Sequence, residues 1–163
     1  MLSMLTEDQV RRVWEKMLGA EARSLYFAEM AAAYTWRKQI ITATSFFLSS
    51  GAAASLIAKM PACVPIVLAV IVALLTAYSL AVSLDRSIGA MTKLHCQWNQ
   101  LAADYERLWN HWQDDDAEAV FRSLLKRAGE ASEAAIEMPY KPEALDRWQK
   151  QVYSRVINSA TAQ

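Results

Sequence analysis

Residues 39 to 84 carry a single charged side chain, Lys59, although the chain has 34 charged side chains in 163 residues. That gap constrains the fold more than any other feature. The remaining 33 crowd into the flanks, six basic and five acidic before residue 39, ten basic and twelve acidic after residue 84. The uncharged run "MPACVPIVLAVIVALLTAYSLAVSL", residues 60–84, exceeds the ~20 helical residues that cross a ~30 Å hydrocarbon core. Its centre, "IVLAVIVALL", has no polar side chain at all. A soluble core helix needs a polar face, so this run predicts a transmembrane helix over 66–84. The preceding run, 39–58, is rich in small and hydroxylated residues ("TATSFFLSSGAAAS") and reads poorly alone. Between the two lies only "KMPACVP", residues 59–65, whose prolines break a helix and start a turn. A chain that enters must return through something of membrane length, and 39–58 is the only candidate. The expectation is a two-helix hairpin with a short extracytoplasmic turn.

Basic residues beside the spans fix the orientation. Arg37 and Lys38 precede the first, Arg86 and Lys93 follow the second, and Lys59 stands alone in the turn; the positive-inside rule then places both termini in the cytoplasm. The start, "MLSMLTEDQVRRVWEKM", lacks a signal-peptide pattern, so targeting is expected from the internal block. Neither flank has the basic excess of a nucleic-acid footprint. Cys63 and Cys96 make no CxxC or Cys/His cluster. The topology puts them on opposite faces, which excludes an intrachain bridge and leaves an intersubunit Cys63 disulfide open.

The flanks read as helices. Thr6 with Gln9 matches a capping box, and Val10, Val13, Trp14, Met17, Leu18, Leu25, Met30 and Tyr34 recur at helical spacing. Residues 1–38 are therefore expected as a cytoplasmic amphipathic helix running unbroken into the bilayer. After the second span, Leu84, Ile88, Met91, His95, Trp98, Ala102, Tyr105, Trp109 and Trp112 follow alternating spacings of four and three, a heptad seam, with Leu94, Leu101 and Leu108 as a further stripe. Each arm would extend ~45 Å at ~1.5 Å per residue. Matching lengths predict one antiparallel stalk, although the seam equally suits identical seams of other subunits. Residues 85–163 are expected as a cytoplasmic helical region, with helices over about 85–113, 116–137 and 142–158. Asp115 or Asp116 would cap the second, Pro142 would open the third, and the tail "SATAQ" would be loose. The fold class is an all-α membrane protein, expected as one structural unit.

No nucleophile elbow, zinc-protease, Walker or dinucleotide pattern occurs, so neither an enzyme nor a cofactor is expected. His95 and Cys96 are adjacent on a helix, ~100° apart, and poorly placed to share a metal; His95 reads as a packed polar seam residue, against metal or proton sensing. Asp114, Asp115 and Asp116 read as helix-start residues before a cation patch, and Trp98, Trp109 and Trp112 as core before a ligand cage. Trp36 stands just before the first span, where interfacial tryptophans do. Within the spans, helix association relies on small residues and hydrogen bonds. Ala69, Ala73, Ala77 and Ala81 form a packing ridge on the second span, while Thr44, Gly51 and Ser55 give the first a packing face. Thr42, Ser45 and Ser49 align on another face of the first span, suited either to packing, with hydroxyls bonded to their own helix, or to lining a pore.

The order of helix, two closely spaced membrane helices and further cytoplasmic helices resembles the SLATT family, two-transmembrane bacterial effector domains associated with nucleotide-signalling conflict systems. The carriers are "LYFAEMAAAYTWRKQIITATSFFLSSGAAAS", "KMPACVP" and "VALLTAYSLAVSLDRSIGAMTKLHCQWNQLAADYERLW", and the resemblance covers residues 10 to 157. It rests on architecture and residue texture, without a catalytic signature, so no functional residue is carried over. It implies a bacterial inner-membrane effector that oligomerises and permeabilises the membrane when a cytoplasmic sensor or signalling partner acts. The partners expected are the lipid bilayer, other copies of the chain and such a sensor. A non-conducting anchor or scaffold that recruits a cytoplasmic partner is the alternative.

Overall fold

The computed structural model describes residues 4–50 and 63–161, and among them the chain is all-helical. Five helices follow in order: α1 Glu7–Ser49, α2 Cys63–Ala81, α3 Leu84–Asn110, α4 Ala117–Ala134 and α5 Pro142–Thr161.

Helix α1 starts where the capping pair places it. The Thr6 amide donates to Gln9 Oε1 at 2.8 Å and the Gln9 amide to Thr6 Oγ1 at 3.4 Å, which satisfies two amides that have no helical partner. Glu7 and Asp8 add negative charge at the positive helix end. No proline interrupts the following 43 residues, and α1 runs unbroken through the expected boundary at residue 38. In α2, Pro65 falls in the first turn, where a missing amide hydrogen costs no helical bond.

Helices α2 and α3 are not continuous. Ser83 takes a left-handed conformation, φ 46°, the positive value among the described non-glycine residues. Its amide donates to the Leu80 carbonyl at 3.1 Å, three residues back. Its own carbonyl then accepts from the Ser87 amide at 3.1 Å and starts α3. A serine in that conformation costs on the order of 1 kcal/mol, and the break re-aims the chain within two residues. Helix α3 ends at Asn110, short of the expected 113, in tight turns that include His111 amide to Leu108 carbonyl, 3.2 Å.

Asp116 stands at the N-cap of α4, but its backbone is helical and its side chain makes no capping bond. The expected side-chain cap is therefore corrected: the Ala117 amide is taken instead by the Asp114 carbonyl at 3.1 Å. The α4–α5 turn is pinned by α1. Tyr26 Oη donates to the Pro139 carbonyl at 3.3 Å and accepts from the Lys141 amide at 3.0 Å.

The chain divides into two compact units, Met1–Met30 with Ala90–Gln163, and Ala31–Gly89. The first unit holds almost all of the buried side chains. Its pairings run in opposite directions along α1 and α3, with Leu5 bonded to Trp112 (3.3 Å), Trp14 against Trp109 (ring centroids 5.0 Å) and Ser24 against His95. The seam of α3 therefore faces α1 of the same chain, which settles that choice for the antiparallel pair. Helix α5 lies antiparallel to α1 in the same way, through Arg155–Glu21 at 2.8 Å and Arg147–Glu29 at 2.5 Å. Leu18, Ala22 and Val152 form the buried centre of that contact, wrapped by Trp14, Met17, Leu25, Trp148 and Val156. Asp104 on α3 holds Arg127 on α4 at 2.7 Å.

The second unit buries little. In the last part of α1, Ile41, Ser45 and Leu48 are half-buried; in α2, Leu68, Val72, Leu75 and Ser79 are half-buried, with spacings of four, three and four. These two stripes are the less exposed faces of the helices in this unit.

Candidate functional site

An apolar helix in water hides its face, and α2 does not. Ile66, Val67, Val70, Leu74, Tyr78 and Leu80 are exposed, Leu80 at 74% and Leu74 at 64%. On α1 of the same unit, Trp36, Ile40, Phe46 and Phe47 are exposed as well, Phe46 at 76%. One helical stretch among the described residues, Ile66–Asn110 taken across the break at Ser83, is long and apolar enough to cross a membrane, and none of its most apolar window is buried. Contiguous exposed apolar surface of this extent marks contact with something other than water.

The structure separates residues that the sequence groups together. Of the hydroxyl stripe, Thr42 and Ser49 are exposed while Ser45 is half-buried with Ile41 and Leu48. At ~100° per residue, Thr42 and Ser49 flank that half-buried stripe on one side. Thr44 is exposed; Gly51 and Ser55, with residues 51–58 of the first expected span and 59–62 of the turn, lie outside the described residues, while 63–65, expected in the turn, open α2. Ala69, Ala73, Ala77 and Ala81 are all exposed. Among the described residues the alanine ridge is the more exposed face of α2. Leu68, Val72, Leu75 and Ser79, on the opposite side of α2, are half-buried. The hydroxyls of Thr35, Ser50 and Thr76 donate to their own helix carbonyls at 2.8, 2.7 and 2.8 Å, as hydroxyls in apolar helices do.

A pair that sequence reading missed closes the charged end of this unit: Lys38 of α1 donates to Asp85 of α3. Both residues border the uncharged runs, and a Lys and an Asp at matching ends of two adjacent spans were the available signal.

On α3 the seam is shifted from the one expected. Met91, Leu94, Trp98, Leu101, Tyr105 and Leu108 are buried, at alternating spacings of three and four. Ile88, His95, Ala102, Trp109 and Trp112 are only half-buried. The correction has a simple geometry: Leu94, Leu101 and Leu108, taken as a side stripe, are half of the true seam, and His95, Ala102 and Trp109 are its shoulder. His95 Nδ1 lies 2.9 Å from the Ser24 carbonyl and 3.0 Å from Ser24 Oγ. A carbonyl only accepts, so Nδ1 carries the proton and the ring is a cross-link between α3 and α1. Among the described residues no three His, Cys, Asp or Glu side chains gather as a metal site would require. Cys96 is exposed and free.

The electrostatic centre of the first unit is Glu29. Its carboxylate accepts from Arg147 Nη2 at 2.6 and 2.5 Å and from Trp148 Nε1 at 2.6 Å. The Arg147 hydrogen bond, then that of Trp148, holds the Glu29 pKa below the ordinary carboxylate value against a smaller desolvation effect. The same bond raises Arg147 above its usual value. No motif in the sequence announced this clamp, because its partners are 118 and 119 residues apart.

No family model, no curated protein and no solved structure matches the chain.

Proposed function

We propose that the chain is a multi-pass membrane protein whose hairpin, residues 39–58 and 66–84, assembles with other copies into a pore or channel. The helices of the first unit act as its cytoplasmic gate. The observation that carries this reading is the exposed apolar surface of α2 and of the end of α1, bordered by Trp36 and by the Lys38–Asp85 pair. Arg37, Lys38, Arg86 and Lys93 favour a cytoplasmic position for both termini. Assembly is supported by two features the single chain leaves uncovered, the alanine ridge of α2 and the hydroxyls of Thr42 and Ser49. In an assembly, the ridge gives close helix packing and the hydroxyls face the wet centre. Ser45 is withdrawn from that lining by being half-buried. A bacterial inner-membrane effector that permeabilises the membrane when a cytoplasmic signal arrives, as the SLATT resemblance implies, fits this arrangement.

Purified protein reconstituted in liposomes tests the reading. Ion flux is expected, and Ser49→Leu and Thr42→Leu are expected to reduce it while insertion persists. Flux unchanged in both variants would remove the lining face. The second reading, a non-conducting anchor, has its own observation: Ile136 and Tyr140 beside α4 and Ile157 on α5 are exposed, at 80, 69 and 63%, on the unit a recruited protein would meet. Liposomes that never conduct, with Ile136→Ser and Tyr140→Ser abolishing partner capture, would favour it.

A further inference from the structure

Three helix faces of the first unit meet around a cavity of about 230 Å³. Lys16 and Arg23 of α1 stand seven residues apart, two turns along one face. Trp98 and Tyr105 of α3 stand seven apart too, and Gly129 and Ser132 of α4 close the third side. No carboxylate lines the cavity. Neither Lys16 nor Arg23 has an ion-pair partner among the described residues. Arg23 instead lies over the Trp98 ring, 4.8 Å from its centroid, with Nη1 folded back to 3.6 Å from the Cβ position of Gly19. At Gly129 a Cβ would meet nothing within 4 Å, so that wall is open.

Two of the lining side chains are buried aromatics with polar atoms. Trp98 and Tyr105 are 2% and 1% exposed, and Trp98 Nε1 and Tyr105 Oη have no hydrogen-bond partner. An indole N–H only donates. Burial pushes the Tyr105 phenol above its ordinary value, against smaller opposite effects of Arg127 and Arg23, so the hydroxyl keeps its proton. Leaving a buried donor unmet costs ~1–3 kcal/mol, and here two occur beside two unpaired cations. Arg23, Trp98 and Ser132 also line an adjoining cavity of about 270 Å³, whose other walls include Tyr26, Phe27 and Tyr140. One end of the groove thus offers donors and positive charge, and the other aromatic surface.

We infer that this groove binds a phosphate monoester, with the phosphate between Lys16, Arg23, Trp98 and Tyr105 and a planar or apolar remainder against Tyr26, Phe27 and Tyr140. Charge-assisted bonds from Lys and Arg are the strong kind, and no carboxylate competes for them in the cavity. The inference does not depend on whether the hairpin conducts.

Full-length protein in detergent, titrated with phenyl phosphate, inorganic phosphate and phenol and followed by tryptophan fluorescence and calorimetry, is the test. Phenyl phosphate is expected to saturate one site at least tenfold more tightly than inorganic phosphate, with no saturation by phenol. Lys16→Gln, at an exposed position that leaves folding intact, is expected to weaken phenyl phosphate tenfold or more. Arg23→Gln is expected to do at least as much, and Tyr105→Phe three- to tenfold, with melting temperatures recorded in parallel. Phosphatidic acid in the micelles separates two sources of the same chemistry: competition with phenyl phosphate assigns the site to a lipid headgroup, and its absence to a soluble monoester. No saturable binding of either phosphate, or unchanged affinity in Lys16→Gln, would overturn the inference.

Discussion

Helices α2 and α3 follow one another across two residues and put their apolar side chains in opposite places. In α3, Met91, Leu94, Trp98, Leu101, Tyr105 and Leu108 are buried and the charges face out. In α2, Val67, Val70, Leu74 and Leu80 face out and none of residues 66–81 is fully buried. Helix α1 repeats the contrast within one element: Val13, Leu18, Tyr26, Phe27 and Met30 are buried, and no residue after Met30 is. A helix built for water keeps a narrow apolar stripe and hides it. A helix built for lipid has no reason to hide anything, because hydrocarbon is as apolar as leucine. Such reversal within single helices supports the proposal that the chain meets two solvents.

The largest effect expected tests the lipid side. Val70→Lys with Leu74→Lys adds two charges to an exposed face, which in water would be harmless. At the centre of a membrane helix each charged residue costs ~2.5–3.5 kcal/mol. Loss of the carbonate-resistant membrane fraction is expected; a doubly substituted protein that still inserts would break the comparison. Next comes the buried side. Leu101→Ala, 2% exposed, is expected to destabilise the first unit by ~2–5 kcal/mol in urea unfolding. Leu74→Ala, 64% exposed, is expected to leave that transition within ~0.5 kcal/mol. Equal effects would deny that the two helices differ in what they bury.

A smaller effect sharpens how the first unit holds α5. The Glu29 pKa is lower in the folded chain than in the unfolded one, so its stabilising contribution is fully present above the ordinary carboxylate value. It is lost as pH falls through the lower folded value. Trp148 fluorescence should therefore report loosening of α5 on acidification below that ordinary value, and Glu29→Gln should remove this acid limb at less than half the cost of Leu101→Ala. Exposure of Glu29, 41% at the side chain, keeps the pair in the weak range of surface ion pairs. An unaltered acid profile in Glu29→Gln would place the clamp elsewhere. The smallest effect belongs to Ser83. Ser83→Gly relieves the left-handed strain and is expected to change stability by about 1 kcal/mol or less, in the stabilising direction, read by thermal melting.

How much of this was legible follows from the range of each signal. The capping pair Thr6–Gln9, the helical flanks and Pro142 at the start of α5 are local patterns, and each stands where the residues put it. The seam was legible as a period and misjudged in phase. A seven-residue repeat fits both His95–Ala102–Trp109 and Leu94–Leu101–Leu108, and only the position of α1 chooses between them. The alanine ridge is legible as a period too, but small residues permit close packing without compelling it, and on α2 Leu68, Val72 and Leu75 are the less exposed positions. The Glu29 clamp, the Tyr26 bridge and the donor-lined groove join residues about 70 to 120 positions apart, beyond any periodicity. The break at Val82–Ser83 carries no glycine or proline, so nothing in its composition marks it.

The central claim, that the two units face different solvents, is tested most directly by spin labels at position 74 of α2 and position 126 of α4, in cysteine-free protein reconstituted in liposomes. Relaxation by oxygen, which partitions into lipid, and by a water-soluble nickel chelate should give opposite rankings at the two sites. The account predicts high oxygen and low chelate accessibility at position 74, and the reverse at position 126. Chelate accessibility at position 74 equal to that at position 126 would contradict it.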